Sequence, residues 1–155
     1  MDQTLEGGCA CGAVRYRLAA APMFVNCCHC TWCQRETGSA FVINALIERD
    51  RLEAAGETLA VDTASESGTG QIVHRCPTCH VALWSHYGRR TQVAFVRAGT
   101  LDRKDVIRPD AHIFTRSKVP WVAIPADQPA FEIFYDLETQ WPPDSLARRA
   151  ALAKS

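Results

Sequence analysis

Net charge is the first thing this chain lacks. Lys plus Arg and Asp plus Glu number 17 each, so the balance gives no reason to expect nucleic acid or an anionic membrane as partner. Long apolar runs are missing too: the longest, Phe41 to Ile47, is broken by Asn44 and is far too short to cross a bilayer. Met1 to Gly8 has no basic segment leading into an apolar run, so no secretory signal is visible. The expectation is a soluble, cytoplasmic protein whose thiols are kept reduced. Repeats, linkers and low-complexity stretches are also lacking. At 155 residues the chain reads as one domain with a real core, small enough to profit from a metal staple.

Helix is scarce. Thr31 to Thr37 fits about two turns ended by Gly38, whose missing Cβ permits a left-handed helix end. Asp144 to Ala153 follows Pro142-Pro143 and is rich in helix formers, which predicts a terminal helix. The rest is strand-like. Ala13–Leu18, Met23–Asn26, Phe41–Leu46, Leu59–Thr63, Gln71–Arg75, Ala82–His86 and Gln92–Ala98 have strand patterning, with His112–Thr115 and Phe131–Tyr135 as weaker segments. Glu66 to Gly70 reads as a hairpin loop and Gly99 to Asp102 as a turn. The predicted class is mostly β.

What the chain does have is cysteine, eight residues in three tight groups: Cys9 and Cys11; Cys27, Cys28, Cys30 and Cys33; Cys76 and Cys79. An even number could signal disulfides, but a reducing compartment and spacings of one to three residues favour thiolates converging on a soft ion. Zinc is the usual guest, and known iron–sulfur runs use other spacings. Two arrangements stay open on spacing alone. Cys30-x-x-Cys33 with Cys76-x-x-Cys79 would make an ordinary four-cysteine ribbon and leave half the thiols unused. If instead Cys9, Cys11, Cys76 and Cys79 close one site, Cys28, Cys30 and Cys33 leave a second one ligand short.

The motifs Gly7-Gly8-Cys9-Ala10-Cys11-Gly12, Cys28-His29-Cys30-Thr31-Trp32-Cys33 followed by Thr37-Gly38-Ser39, and Cys76-Pro77-Thr78-Cys79 carry a resemblance. With His112-Ile113-Phe114 and Trp121, they make residues 5–135 similar to the glutathione-dependent formaldehyde-activating enzyme family, which includes centromere protein V. The resemblance implies a zinc-binding β fold of the Mss4-like, or β-tent, type over residues 1–138, with 139–155 as a helical appendage. It implies two zinc ions per chain: a structural one on Cys9, Cys11, Cys76 and Cys79, and a catalytic one on Cys28, Cys30 and Cys33 that an external thiol can complete. The implied reaction joins glutathione, or a related thiol, to formaldehyde or another small aldehyde, and its reverse is a carbon–sulfur lyase reaction. A noncatalytic zinc module for protein or nucleic-acid interaction is the competing reading, disfavoured for nucleic acid by the neutral charge balance.

The chain departs from the family pattern in several places. Arg75 and His80 stand where Phe and Gly are usual, and the latter position is expected to need positive φ, which His tolerates better than most residues. Gln34 followed by Arg35 replaces the usual Arg after the triad. Cys27 is extra, and is read as a spare buried thiol or as a fourth ligand of the second site; neighbouring strand side chains point oppositely, which favours the first. Among the histidines, His29 is read as a proton or hydrogen-bond donor near the second site or, more commonly for such a residue, as facing solvent. His112 is expected in the core or behind a ligand, and His74, His80 and His86 are weak ligand candidates. Trp32, Trp84 and Trp121 are expected in the core more than around a pocket. Arg35, Arg89, Arg90 and Arg116 are candidate anchors for glutathione's carboxylates, each weighed against an ordinary solvated charge.

Overall fold

The computed structural model describes residues 4–153. The ends of the expected domain and appendage, residues 1–3 and 154–155, lie outside the described residues. Ten strands and little helix make the fold mostly β, as the patterning predicts. In chain order the strands are β1 (Leu5–Gly8), β2 (Arg15–Leu18), β3 (Phe24–Cys28), β4 (Val42–Glu48), β5 (Leu52–Ala55), β6 (Leu59–Thr63), β7 (Gln71–Arg75), β8 (Ala82–Tyr87), β9 (Val93–Arg97) and β10 (Ala111–Ile113). Helix α1 (Thr31–Thr37) follows β3, and α2 (Leu137–Gln140) and α3 (Pro143–Leu152) end the chain.

The strands form a three-stranded sheet, β1-β2-β5, and a seven-stranded sheet in the order β10-β3-β4-β9-β8-β7-β6. Pairing is antiparallel except between β10 and β3. Strand β2 alternates exposed Arg15 and Arg17 with buried Tyr16 and Leu18, so one face of the small sheet meets the large one. Tyr16, Leu18, Ile47, Leu52, Leu83, Trp84, Val96 and Leu101 fill the space between them. A second core gathers Phe24, Val42, Leu46, Ile113, Tyr135 and Trp141 around Cys28, Cys30 and Cys33. One cysteine group therefore sits inside an aromatic and aliphatic wall.

Helix α3 starts one residue earlier than predicted, with Pro143 in its first turn, where a fixed φ and a missing N–H cost nothing. It is tied to the body. Ser145 Oγ donates to Met23 O at 2.6 Å, and Arg148 meets Glu48 of β4 through Nε and Nη2 at 2.7 and 2.5 Å.

Two strands arise where the sequence patterning marked none, and one marked segment forms no strand. Strands β1 and β5 carry Leu-Glu-Gly-Gly and Leu-Glu-Ala-Ala, compositions with little β propensity; pairing on either side of β2 makes them strands. Phe131–Tyr135 forms no strand. Its backbone runs beside β10, with Phe131 N–H donating to His112 O and Ile133 O accepting from Phe114 N–H. Phe114 then turns the chain through φ 55°, which ends the ladder.

Candidate metal centres and thiol-binding cleft

The first cysteine group joins two tight loops. After β1, Cys9 Sγ accepts from Val14 N–H at 3.3 Å, while Cys9 N–H donates to Val14 O at 3.0 Å. Between β7 and β8, Cys76 Sγ accepts from Thr78 N–H at 3.4 Å, and His80 N–H donates to Cys76 O at 2.9 Å. The loops bring Cys9, Cys11, Cys76 and Cys79 together with all four sulfurs within 4.8 Å of one another. Cys9 and Cys11 are 3.6 Å apart and Cys11 and Cys76 are 3.7 Å apart, too far for a disulfide. A tetrahedron with zinc–sulfur bonds of about 2.3 Å has edges of about 3.8 Å, so the sulfur set fits such an ion. Crowding splits the protons: backbone N–H groups of Val81 and Cys11 hold Cys79 down at about 6. Cys11 is pushed up to about 11; the Ala13 N–H lowers it, but Cys9, desolvation and the other sulfurs outweigh that.

The two family departures at this loop touch each other. His80 adopts φ 62°, as the Gly position was expected to require, and its carbonyl accepts from Arg75 Nη1 at 3.0 Å. Arg75 Nη2 also pairs with Glu36 of α1, linking this loop to the helix of the second group.

That second group stands at the end of β3. Cys28 closes the strand, Cys30 caps α1 by accepting from Cys33 N–H at 3.3 Å, and Cys33 lies in the first turn. The three sulfurs lie within 4.8 Å of one another and all three residues are buried. Bonds from Cys28 and Cys33 hold the Cys30 thiol down at about 3. A bond from Cys28 lowers Cys33, but Cys30 and burial push it up to about 12. Cys28, facing Cys30 and then Cys33, lies far above the ordinary thiol range. One thiolate held by two thiols is what such a triad does without a cation. Three soft donors at this spacing, with a fourth side open, fit a zinc-type ion one ligand short.

Through Cys28 and Cys33 the triad opens onto a cavity of about 540 Å³ whose wall mixes Asn26, Asn44, Glu66, Arg90 and Arg116 with hydroxyls and apolar groups such as Phe95 and Phe134. Two of the four arginines considered as anchors reach it. Arg116 pairs with Glu66 at 3.0 Å, whereas Arg90 has no ion-pair partner among the described residues. Arg89 pairs with Asp62 and Arg35 is exposed away from the cavity lining. Gln34, in the position of the usual Arg, clamps two loops by donating to His29 O and Ser117 O at 2.8 and 2.9 Å.

Arg97 escaped the sequence reading because a charged residue at the end of a strand looks like surface. It is buried, with Nη1 donating to Asn44 Oδ1 and Nε unpartnered. Burial lowers its pKa, while the thiols of Cys33 and Cys28 and the carboxylate of Glu36 pull the other way. A neighbouring triad that lacked positive charge in the sequence thus has a buried cation beside it.

The aromatic and histidine expectations need correction. Trp84 is core, but Trp32 and Trp121 are 42% and 78% exposed and neither packs inside nor walls the cavity. His29 faces no solvent at all: its N–H donates to Ile113 O at 3.0 Å, which carries the extended chain of β3 onward and turns the ring inward. There its Nε2 meets His112 Nδ1 at 2.9 Å and Cys27 Sγ at 3.6 Å. Cys27 is on the face opposite Cys28 and joins no triad sulfur. His74 bonds Thr58 and His86 bonds Val93 O, so neither belongs to a ligand group among the described residues.

No helix of the described residues is long and apolar enough to cross a membrane. A sequence model of the glutathione-dependent formaldehyde-activating enzyme family matches residues 4–117. A Halomonas elongata protein, provisionally named a glutathione-dependent formaldehyde-activating enzyme, is 32% identical over 127 residues, spanning 77% of this chain and 80% of its own. A crystal structure of a Rhodobacter sphaeroides protein covers 67% of this chain and 91% of that one, at 18% identity and a TM-score of 0.46, a likeness too loose to argue from. Match length and identity together decide the matter: the chain belongs to the glutathione-dependent formaldehyde-activating enzyme family.

Proposed function

We propose that this protein joins a small thiol, glutathione first, to formaldehyde or another small aldehyde, and that it cleaves the same carbon–sulfur bond in reverse. In this reading Cys9, Cys11, Cys76 and Cys79 hold a structural zinc, and Cys28, Cys30 and Cys33 hold a second. When bound, that second zinc offers a free coordination position suited to a thiolate. The observation that carries the reading is a sulfur triad stopping at three ligands beside an open cleft whose Arg90 makes no ion pair among the described residues.

The chain's own groups have separate tasks. Arg90 and Arg116, at the cleft wall, are placed to receive a carboxylate of a glutathione-sized thiol, with Asn26 and Asn44 offering amide partners. Phe95, Ile113 and Phe134 keep the wall apolar, which limits competing water. Arg97 offsets charge: three thiolates and a divalent ion leave one negative charge, and the buried guanidinium cancels it. In the addition, the thiolate sulfur forms a bond to the carbonyl carbon, the carbonyl π pair moves to oxygen, and oxygen takes up a proton. Overall the proton leaves sulfur and ends on the hydroxyl of an S-hydroxymethyl product.

Thiols add to formaldehyde readily in buffer, so the test is acceleration. Exchange between labelled formaldehyde and its glutathione adduct, followed by carbon NMR, should quicken with wild-type protein and return to the buffer rate with Cys28→Ala. A wild-type rate equal to buffer contradicts an enzyme and leaves an interaction module.

A further inference from the structure

We propose that Cys27, His29 and His112 form a third metal site, taking a borderline divalent ion of the zinc type through one thiolate and two imidazoles. Strand geometry assembles it. Side chains two apart on an extended chain share a face, and the bond from His29 N–H to Ile113 O keeps the chain extended past Cys28. Cys27 and His29 therefore point one way while Cys28 and Cys30 point the other. The parallel register of β10 on β3 places His112 opposite Cys27. One strand end thus presents a sulfur triad on one face and a mixed sulfur–nitrogen set on the other.

Distances suit an ion. The three donor atoms lie within 4.8 Å of one another, with His29 Nε2 2.9 Å from His112 Nδ1 and 3.6 Å from Cys27 Sγ. Tetrahedral bonds of about 2.0 Å to nitrogen and about 2.3 Å to sulfur call for edges of about 3.3 and 3.5 Å. A shift of a few tenths of an ångström between the two rings suffices. All three residues are buried, so the donors have no solvent to satisfy them.

The tautomer of His112 is already set. Gln128 Nε2 donates to Pro109 O at 3.0 Å, which turns Gln128 Oε1 towards His112 Nε2 at 2.6 Å. His112 Nε2 must donate, leaving the Nδ1 lone pair aimed at His29. A ligand histidine whose other nitrogen donates to an amide oxygen is the usual support behind a metal. Without an ion, a single His29 N–H has to serve both His112 and Cys27, and the Cys27 thiol has no acceptor for its own proton among the described residues. His29 Nδ1 lacks a partner with or without an ion, so it favours neither state.

Such an ion would clamp β10 to β3. Parallel pairing there covers only Ala111 to Ile113, and Ile113 and Phe114 wall the cleft beside the triad. The clamp stands apart from the thiol and aldehyde reading, since it needs none of the triad cysteines.

Zinc-edge X-ray absorption on full-length protein, incubated with zinc and desalted, tests it directly. The all-cysteine groups supply no imidazole, so the proposal expects imidazole outer-shell scattering at about two rings per three zincs. His112→Gln and, separately, Cys27→Ala should each lower zinc content by one ion per chain and reduce that scattering. Wild-type protein whose zinc shows no imidazole scattering overturns the site, and this arm needs no variant to fold. Imidazole scattering unchanged in a folded His112→Gln protein overturns it too. Failure of the sulfur-only sites would show instead as missing sulfur scattering, which keeps the two readings separable.

Discussion

The sulfur of Cys11 lies 3.7 Å from that of Cys76, although 65 residues of chain separate them. This contact staples the small sheet's first loop to the hairpin of β7 and β8. If the proposed structural zinc closes this loop, it would contribute on the order of 10 kcal/mol to a small domain, comparable with its whole stability. Cys76→Ala is therefore expected to be unfolded, or to melt well below wild type, by circular dichroism. A variant with an unchanged melting curve would show that the four-cysteine group staples nothing.

Cys28 sits in a group drawn from one short stretch, Cys28 to Cys33, and should behave differently. Cys28→Ala removes a sulfur without releasing a distant segment, so a loss of about 1–3 kcal/mol from the lost packing is expected, with the fold kept. Elemental analysis should find one zinc fewer than in wild type. Unfolding of this variant would contradict the division between the two groups.

Arg97 offers a test of charge. Arg97→Met keeps the length of the side chain while removing the cation beside Cys33 and Cys28. A charge-assisted contact of this kind is worth about 1.5–3 kcal/mol, so glutathione affinity should fall about 10- to 150-fold. Unaltered affinity, measured on a folded variant, would remove Arg97 from the site.

Glu48 and Arg148 predict an acid-dependent anchor for the terminal helix. Burial alone would raise the Glu48 carboxyl, but the bonds from Arg148 prevail and its pKa lies below the ordinary value. A folded pKa below the unfolded one means stability that is fully present above the unfolded pKa, about 4.3, and is lost as pH falls through the folded value. Arg148→Met should cost about 1–3 kcal/mol near neutrality, since it removes two charge-assisted bonds and leaves the buried carboxylate with only Arg51, 3.6 Å away. The gap between wild type and variant should close on acidification below about pH 4. Denaturant melts at several pH values read this, and a gap that widened towards acid would carry the wrong sign.

Short-range features were legible in the sequence because their causes are local. Thr31–Thr37 and its Gly38 end, and the hairpin strands Leu59–Thr63 and Gln71–Arg75, are bounded by turn and cap residues that act on their neighbours. The positive φ at His80 was expected from the glycine usual at that position in the family, not from its neighbours in sequence. Strands β1 and β5 were not legible, since only pairing with β2 makes strands of their sequences. Spacing left two arrangements of the cysteines open, and only the family resemblance implied the grouping that the fold brings together; the burial of His29 was not visible at all. That depends on Ile113 and His112, brought alongside by β10 from 83 residues away. Arg97 stayed hidden likewise, because burial of a strand-end arginine is decided by what packs over it.

Titration of wild-type protein with glutathione in a calorimeter probes the open triad most directly. The account predicts one molecule bound per chain, and no binding to a folded Cys28→Ala variant. Equal heats from both proteins, or none from wild type loaded with zinc, would contradict it.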